Sequence, residues 1–404
     1  MNSLERVKAA LHFDGPDKVP AWKPGSSDIY PMIMIPSQHW QPGHVEEEKG
    51  LFPHAYYDAT ISAGLWKWHE PQWVRNNPHY TNLNYMKTER EEIDPWGCFW
   101  NRTADYTSMG HPGRPCLTDW ADLDEYLEKN TPDPLDLSQY SQFFIDTANT
   151  NAKNKYHLCI LGLVNAGPFQ MAANIRNFTQ FLIDHRRHPK EVKKLLRHLT
   201  DWYIDNMKGW ERSGASPHGF YIPDDLGTDN APFFSPKVFK EFYEPVYKRI
   251  IDASHELGCE FHLHCCGKID LLLPLLVEWG LDAIELDAPR MTGYTDLREF
   301  RGKIMFWGCL DIGSVYINAT PEECEREVWH MIRNLGTSKG GFGAFFYPEP
   351  HVIRAPKENV KAFINGLKKY GVYEKIPSHW WKHPVSDNWD NYNVPDLPPL
   401  ETIQ

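Results

Sequence analysis

The sequence predicts an α/β protein built as a (β/α)8 (TIM) barrel. Three observations lead there. From residue 155 onward, short apolar runs alternate with long amphipathic stretches, the rhythm of parallel strand–helix units. At least five such units fit into about 220 residues. No G-x-G-x-x-G follows the first of these strands, which removes the usual reason to prefer a doubly wound nucleotide-binding sheet.

Each element has its own justification. "YHLCILGLV" opens the series as an apolar strand ending at "NAGPF", and helices are expected over 169–183 and 189–212. "HGFYIPDDLG" (218–227) is the next strand. The long helix after it starts with Ser235 as N-cap and Pro236 at the first helical position, where a missing N–H costs nothing. "CEFHLHCCG", "LDAIELD", "IMFWGCLD" and "GFGAFFYPEP" read as further strands. "KIDLLLPLLVEWG", "TPEECEREVWHMIRNLG" and the closing "APKENVKAFINGLKKYG" read as helices.

Outside the barrel the chain is less regular. Residues 1–13 read as a helix with Asn2 and Glu5 at capping-box spacing. Residues 20–120, rich in Pro, Gly, Asn and aromatic side chains, form an N-terminal extension with "EEIDPWGCFWNRT" as short strands joined by turns. This region is expected to lie as a lid over the barrel mouth. One domain, 1–372, is expected, followed by an extended Pro- and Trp-rich tail, 373–404. That tail would wrap the body or a second subunit, which makes a homodimer the expected assembly if one forms.

Composition narrows the function. A net charge of −12 argues against nucleic acid, which is bound by clustered Lys and Arg. No run approaches the roughly 18 uncharged apolar residues of a membrane span. The charged start "MNSLERVKAALHF" does not read as a signal peptide. A cytoplasmic location is expected, with the 8 cysteines reduced. The 16 tryptophans fit loop packing and an aromatic-lined pocket equally well.

Reactive groups of a β/α barrel converge at the C-terminal ends of its strands. Those ends supply Asn165, Asp224, Asp225, His264, Cys266, Glu285, Asp287, Cys309, Asp311, Glu349 and His351. Such residues are costly to bury unpaired and do nothing for a barrel's stability. Side chains two apart on a strand share a face. His262, His264 and Cys266 therefore point one way, while Cys265 points to the helices. His264 and Cys266 lie nearest the open rim, with His262 a layer deeper.

Imidazole with thiolate selects zinc over magnesium or calcium. A third ligand would come from Glu285, Cys309 or Glu349, with Asp287 and His351 behind them. Asp224 and Asp225 are candidates for orienting substrate or relaying a proton, with helix capping as their structural alternative. Trp22, Tyr221, Trp307 and Tyr347 are candidates for lining a substrate pocket.

Several stretches carry a family resemblance. These are "ERVKAALHFDGPDKVP", "IDPWGCFW", "GPFQMA", "DDLGTDNAPFFSPKVFKEFYEPVYKRI", the H-x-C-G at His264, Cys266 and Gly267, and "APKENVKAFINGLKKYG". Nearly end to end, the chain resembles the uroporphyrinogen decarboxylase superfamily, and within it the zinc-dependent, corrinoid-linked methyltransferases. The resemblance implies zinc on His264 and Cys266. The family's later cysteine falls near Glu349, so a carboxylate would replace a thiolate and favour an oxygen or nitrogen substrate. It also implies that Asp28 corresponds to the decarboxylases' aspartate.

The arginine-rich entrance that holds a porphyrinogen's carboxylates is replaced here by "AWKPGSSDIYPMIMIP", with one lysine. Porphyrinogen decarboxylation is therefore not expected. The expected activity is transfer of a methyl group between a small substrate and a separate corrinoid protein, as in demethylase systems. No D-x-H-x-x-G occurs in the chain, so any cobalamin would be carried by that partner. Two alternatives stand beside this reading. One is a decarboxylase or lyase acting on a small carboxylated or aromatic substrate through Asp28 or the Asp224/Asp225 pair. The other is a non-catalytic metal or small-ligand binding protein.

Overall fold

The apolar runs become strands buried on both faces, because helices cover the outside and large side chains fill the inside. The computed structural model describes residues 1–23, 26–37, 39–43, 55–57, 90–102, 110–164, 166–348, 350–378 and 380–382. In chain order the strands are β1 (Ala21–Trp22), β2 (Ile29–Met32), β3 (Ala55–Tyr57), β4 (Arg90–Ile93), β5 (Phe99–Arg102) and β6 (His111–Pro112). They continue with β7 (Tyr156–Ile160), β8 (Gly219–Pro223), β9 (Glu260–His264), β10 (Ala283–Leu286), β11 (Met305–Gly308) and β12 (Phe342–Phe345). Eight of them form one parallel sheet in the order β1-β12-β11-β10-β9-β8-β7-β2. This is the expected barrel. β3 to β6 form a separate four-stranded sheet, in which "EEIDPWGCFW" gives the antiparallel β4–β5 pair.

The helices follow from their caps. Asn2 and Glu5 form the capping box of helix Ser3–Leu11, and Ser235 accepts from the Val238 N–H to start helix Pro236–Glu256. One expected helix is divided. Asn177 adopts φ 80°, which ends Pro168–Arg176 and opens Phe178–Arg187, so the helix expected over 169–183 is two.

The N-terminal end of the barrel is closed by an ionic plug. Lys8 of helix Ser3–Leu11 and His12, which follows its last residue, meet Glu260 at the start of β9, at 2.6 and 2.9 Å. Glu260 also accepts from the Tyr156 hydroxyl at 2.8 Å. His262, directly above, lies 2.9 Å from that hydroxyl through Nε2 and accepts from the Trp307 indole through Nδ1 at 3.2 Å. Both ring nitrogens are thus occupied, and burial pushes its pKa down to about 4. His262 is an interior histidine.

Trp307 is fully buried and fills the barrel rather than lining a pocket. A Cβ at Gly343 would lie 2.4 Å from its ring, so only glycine fits opposite it. Trp22 packs edge-on against Tyr221, Trp307 and Phe345, completing an aromatic floor inside the barrel.

Asp28 is corrected by its position. It precedes β2 and faces the N-terminal end, opposite the rim where β/α barrels keep their chemistry. Its backbone N–H donates to Ala21 and its carboxylate accepts from the Ala21 N–H, at 2.8 and 2.9 Å, bridging the seam between β1 and β2. Ser3 and Arg6 hold the other carboxylate oxygen at 2.6 and 2.7 Å. Removing one partner of such a buried pair strands the other. Asp28→Ala is therefore expected to lower unfolding stability by roughly 3 kcal/mol in denaturant melts. Its metal content by elemental analysis should stay unchanged, and a variant of native stability that lost metal would contradict this placement.

Candidate metal site

Strands β9 and β10 pair in parallel with His264 directly opposite Glu285. Both side chains point into the barrel at its C-terminal rim, so register alone brings imidazole against carboxylate. His264 Nδ1 hydrogen-bonds the Glu285 carboxylate, which is completely buried. The other ring nitrogen, Nε2, lies 3.1 Å from Cys266 Sγ and 3.6 Å from Asp225 Oδ1. The Cys266 thiol in turn donates to Asp287 Oδ2 at 3.5 Å.

Three loops hold this group in place. After β9 the chain turns so tightly that a Cβ at Gly267 would lie 2.1 Å from the Gly227 carbonyl, so two glycines let the β8 and β9 loops cross backbone to backbone. Cys265 is fully buried and accepts from the Leu226 N–H at 3.3 Å, which turns it away from the rim as alternation requires. Cys266 is left facing the rim, its own N–H donating to Asp225 Oδ1 at 2.8 Å.

Asp224 and Asp225 part company. The Asp224 carboxylate accepts from the N–H groups of Phe169 and Gln170, each at 2.9 Å, and from the Tyr247 hydroxyl at 2.6 Å. It caps the start of helix Pro168–Arg176 and is inaccessible to substrate. Gly167 makes room, since a Cβ there would lie 2.5 Å from the Asp224 side chain. Asp225 faces the cluster instead. Its second oxygen accepts from the Gln170 side chain at 2.9 Å. Gln170 had no place among the sequence candidates; its signal lay in "GPFQMA", where helix 168–176 begins.

The electrostatics call for a positive charge. Burial raises the Glu285 carboxyl to about 8, raises Asp287, and pushes the Cys266 thiol up to about 12. Burial disfavours charge on His264, but Cys266, Tyr221 and Glu285 outweigh it and hold the ring well above its ordinary range. Glu285 Oε1 and Asp287 Oδ1 are buried without a hydrogen-bond partner, and each such atom carries a desolvation cost. The donor atoms of His264, Glu285 and Asp287 lie within 4.8 Å of one another, as do those of Asp225, His264 and Cys266. Imidazole, thiolate and carboxylate donors at this spacing fit zinc.

The remaining candidates fall differently. Cys309 is buried and belongs to neither group, and Asp311 is engaged by Gly313 and Ser314 in a turn. His351 is exposed. Glu349 and Asn165 lie outside the described residues. Tyr347, half-buried, is raised to about 12 by burial and by the nearby Asp287 and Cys266. Tyr221 lies beneath it, its ring 6.5 Å from that of His264. A cavity of about 550 Å³ opens beside Cys266 and Asp225, walled by Gln170, Phe178, Phe233 and Met291.

The sequence profile of uroporphyrinogen decarboxylase (URO-D) matches residues 110–370. This chain belongs to the uroporphyrinogen decarboxylase family. A URO-D family chain with this site is also similar to Methylcobamide:CoM methyltransferase MtbA of Methanosarcina mazei, 24% identical over 249 residues that cover 58% of this chain and 68% of the relative. A solved methyltransferase from Methanosarcina mazei shares the fold, with a TM-score of 0.56 at 14% identity over 92% of this chain and 99% of the other. No helix among the described residues is long and apolar enough to cross a membrane.

The raised Glu285 and His264 carry a consequence for the metal-free protein. Each binds its proton more tightly folded than unfolded, so the associated stability is complete at low pH and is lost as pH rises through the folded values. Buried histidines such as His262, held at about 4, act in the opposite sense, so the Glu285 contribution is read as a difference: in thermal melts of metal-free protein, the stability advantage of wild type over Glu285→Gln is expected to be larger at pH 5 than at pH 8. An advantage over Glu285→Gln that is equal at the two pH values, or larger at pH 8, would contradict the assigned shift.

Proposed function

We propose that this URO-D family chain is a zinc-dependent methyltransferase that moves a methyl group between a small substrate and a corrinoid carried by a separate protein. The observation that carries the reading is the His264–Cys266 pair at the rim, 3.1 Å apart, with one unpartnered oxygen on each of the buried Glu285 and Asp287 carboxylates and a cavity alongside. The similarity to a protein named Methylcobamide:CoM methyltransferase points the same way. Corrinoid, partner and zinc are all part of the proposal.

Zinc would be held by His264 Nε2, Cys266 Sγ and a carboxylate from Asp225 or Asp287, with Glu349 as the ligand the family resemblance suggests. Glu285, on His264 Nδ1, would orient the ring and raise its basicity in the manner of carboxylate–histidine pairs at metal sites. When bound, the ion supplies Lewis acidity to the heteroatom that gains or loses the methyl group.

The chain's own residues then have distinct tasks. Gln170 fixes Asp225, and Asp225 fixes the Cys266 backbone, so the thiolate is held at one angle to the cavity. Asp287, beside Cys266, is positioned to hold the proton of a substrate hydroxyl or amine. Tyr221, packed beside His264, and the cavity walls at Phe178 and Phe233 supply the apolar surface around the reacting atoms. Carboxylates around the thiolate make the site harder than an all-sulfur one and favour an oxygen or nitrogen heteroatom over a thiol. The family's decarboxylases give a second reading, supported by the profile match alone.

Three measurements separate these readings. Purified protein is expected to contain one zinc per chain, and His264→Ala or Cys266→Ser should lose most of it while remaining folded. Methyl transfer to a reduced corrinoid protein, or from a methylated one, should fall at least 100-fold on complete chelation and return with zinc. Activity that survives chelation would favour the decarboxylase reading. Gln170→Leu, which leaves the metal donors intact, should weaken zinc affinity about tenfold, measured by competition with a chromogenic chelator.

A further inference from the structure

Outside the metal-donor cluster, two thiols meet where the four-stranded sheet joins the barrel. Cys98 Sγ and Cys116 Sγ are 3.7 Å apart. Both are free, Cys98 buried and Cys116 half-buried. Cys98 ends a rigid turn in which the Asp94 carboxylate accepts from the N–H groups of Trp96 and Cys98 at 2.8 and 3.0 Å. Gly97, at φ 76°, makes that turn possible. Cys116 is held from the other side. Its backbone N–H and that of Leu117 both donate to Ile175, at 3.2 and 3.0 Å, near the end of helix Pro168–Arg176. Two separately hydrogen-bonded backbones thus bring the sulfurs together, with Cys116 Sγ also 3.4 Å from the Tyr126 hydroxyl and 3.5 Å from the Ile175 carbonyl. A disulfide needs them to close by a little under 2 Å.

We propose that Cys98 and Cys116 are an oxidation site that forms a disulfide on reaction with hydrogen peroxide. Cys116, the more accessible sulfur, attacks the peroxide oxygen; the O–O bond breaks and water leaves, giving the sulfenic acid at Cys116. Cys98 sulfur then attacks Cys116 sulfur, the S–O bond breaks, and the departing hydroxide takes the Cys98 proton as a second water. Two thiols are oxidised by two electrons and one peroxide is reduced to two waters. Burial raises the Cys98 thiol, which suits it to resolve rather than to attack first. The bond would tie the Asp94–Cys98 turn to the segment that leads from Pro112, on the cavity wall, to the helix that carries Gln170. Metal binding and methyl transfer play no part in this inference.

The test treats full-length protein with stoichiometric hydrogen peroxide, followed by intact mass and peptide mapping. A loss of about 2 Da, a linked Cys98–Cys116 peptide and recovery of both thiols with dithiothreitol are expected. In Cys98→Ser the reaction should stop at Cys116 sulfenic acid, trapped as a dimedone adduct. In Cys116→Ser, Cys98 should stay reduced. If one variant does not fold, the other carries the test. A linked peptide that joins any other cysteine, or Cys116 oxidised to the sulfinic acid with Cys98 still free, would overturn the proposal.

Discussion

The site depends on one registration: β9 and β10 run parallel with His264 opposite Glu285. Because strand side chains alternate strictly, a slip of one residue would send one of the two groups out to the helices. In register, an imidazole and a carboxylate share the interior of a barrel that offers little water. Cys266 and Asp287, two residues further along each chain, extend the same pairing to the rim. The result is a cluster of groups that repel when all are ionised and that burial penalises singly. A bound cation would resolve both problems at once, since it would neutralise the carboxylates and thiolate and replace the proton on the ring.

The motif glycines make this registration usable. Gly167, Gly227 and Gly267 stand at points where a side chain would collide with Asp224 or with backbone, and each contact joins one β/α loop to the next. "GPFQ", "DDLG" and "HCCG" are therefore one connected structure. The Asp224 clamp fixes helix Pro168–Arg176, the helix presents Gln170, Gln170 holds Asp225, and Asp225 holds Cys266. Adjacent aspartates serve opposite ends of this chain of contacts because successive side chains leave the strand end in different directions.

The two ends of the barrel divide stability from chemistry. At the N-terminal end, Lys8, Glu260, Tyr156 and His262 satisfy one another, and Arg6, Asp17 and Asp28 do the same beside the seam. At the C-terminal end, buried carboxylate oxygens remain without partners. A fully satisfied polar network stabilises a fold, whereas an unsatisfied one marks a place shaped for something else.

Much of this was legible in the amino-acid order. Periodicity located every barrel strand from β7 onward, and capping residues located helix starts, because both signals are local. Alternation separated Cys266 from Cys265 for the same reason. What local pattern could not reach was decided by packing. The choice of Glu285 over Cys309 as companion to His264 follows from strand register, which links residues 21 apart. The assignment of Asp28 to the seam follows from how the barrel closes on itself, and the burial of Trp307 from the empty space at Gly343. Sequence by itself determined which residue types stand at the strand ends; only the tertiary structure decided which of them meet, because distance across a barrel is set by register and closure rather than by spacing along the chain.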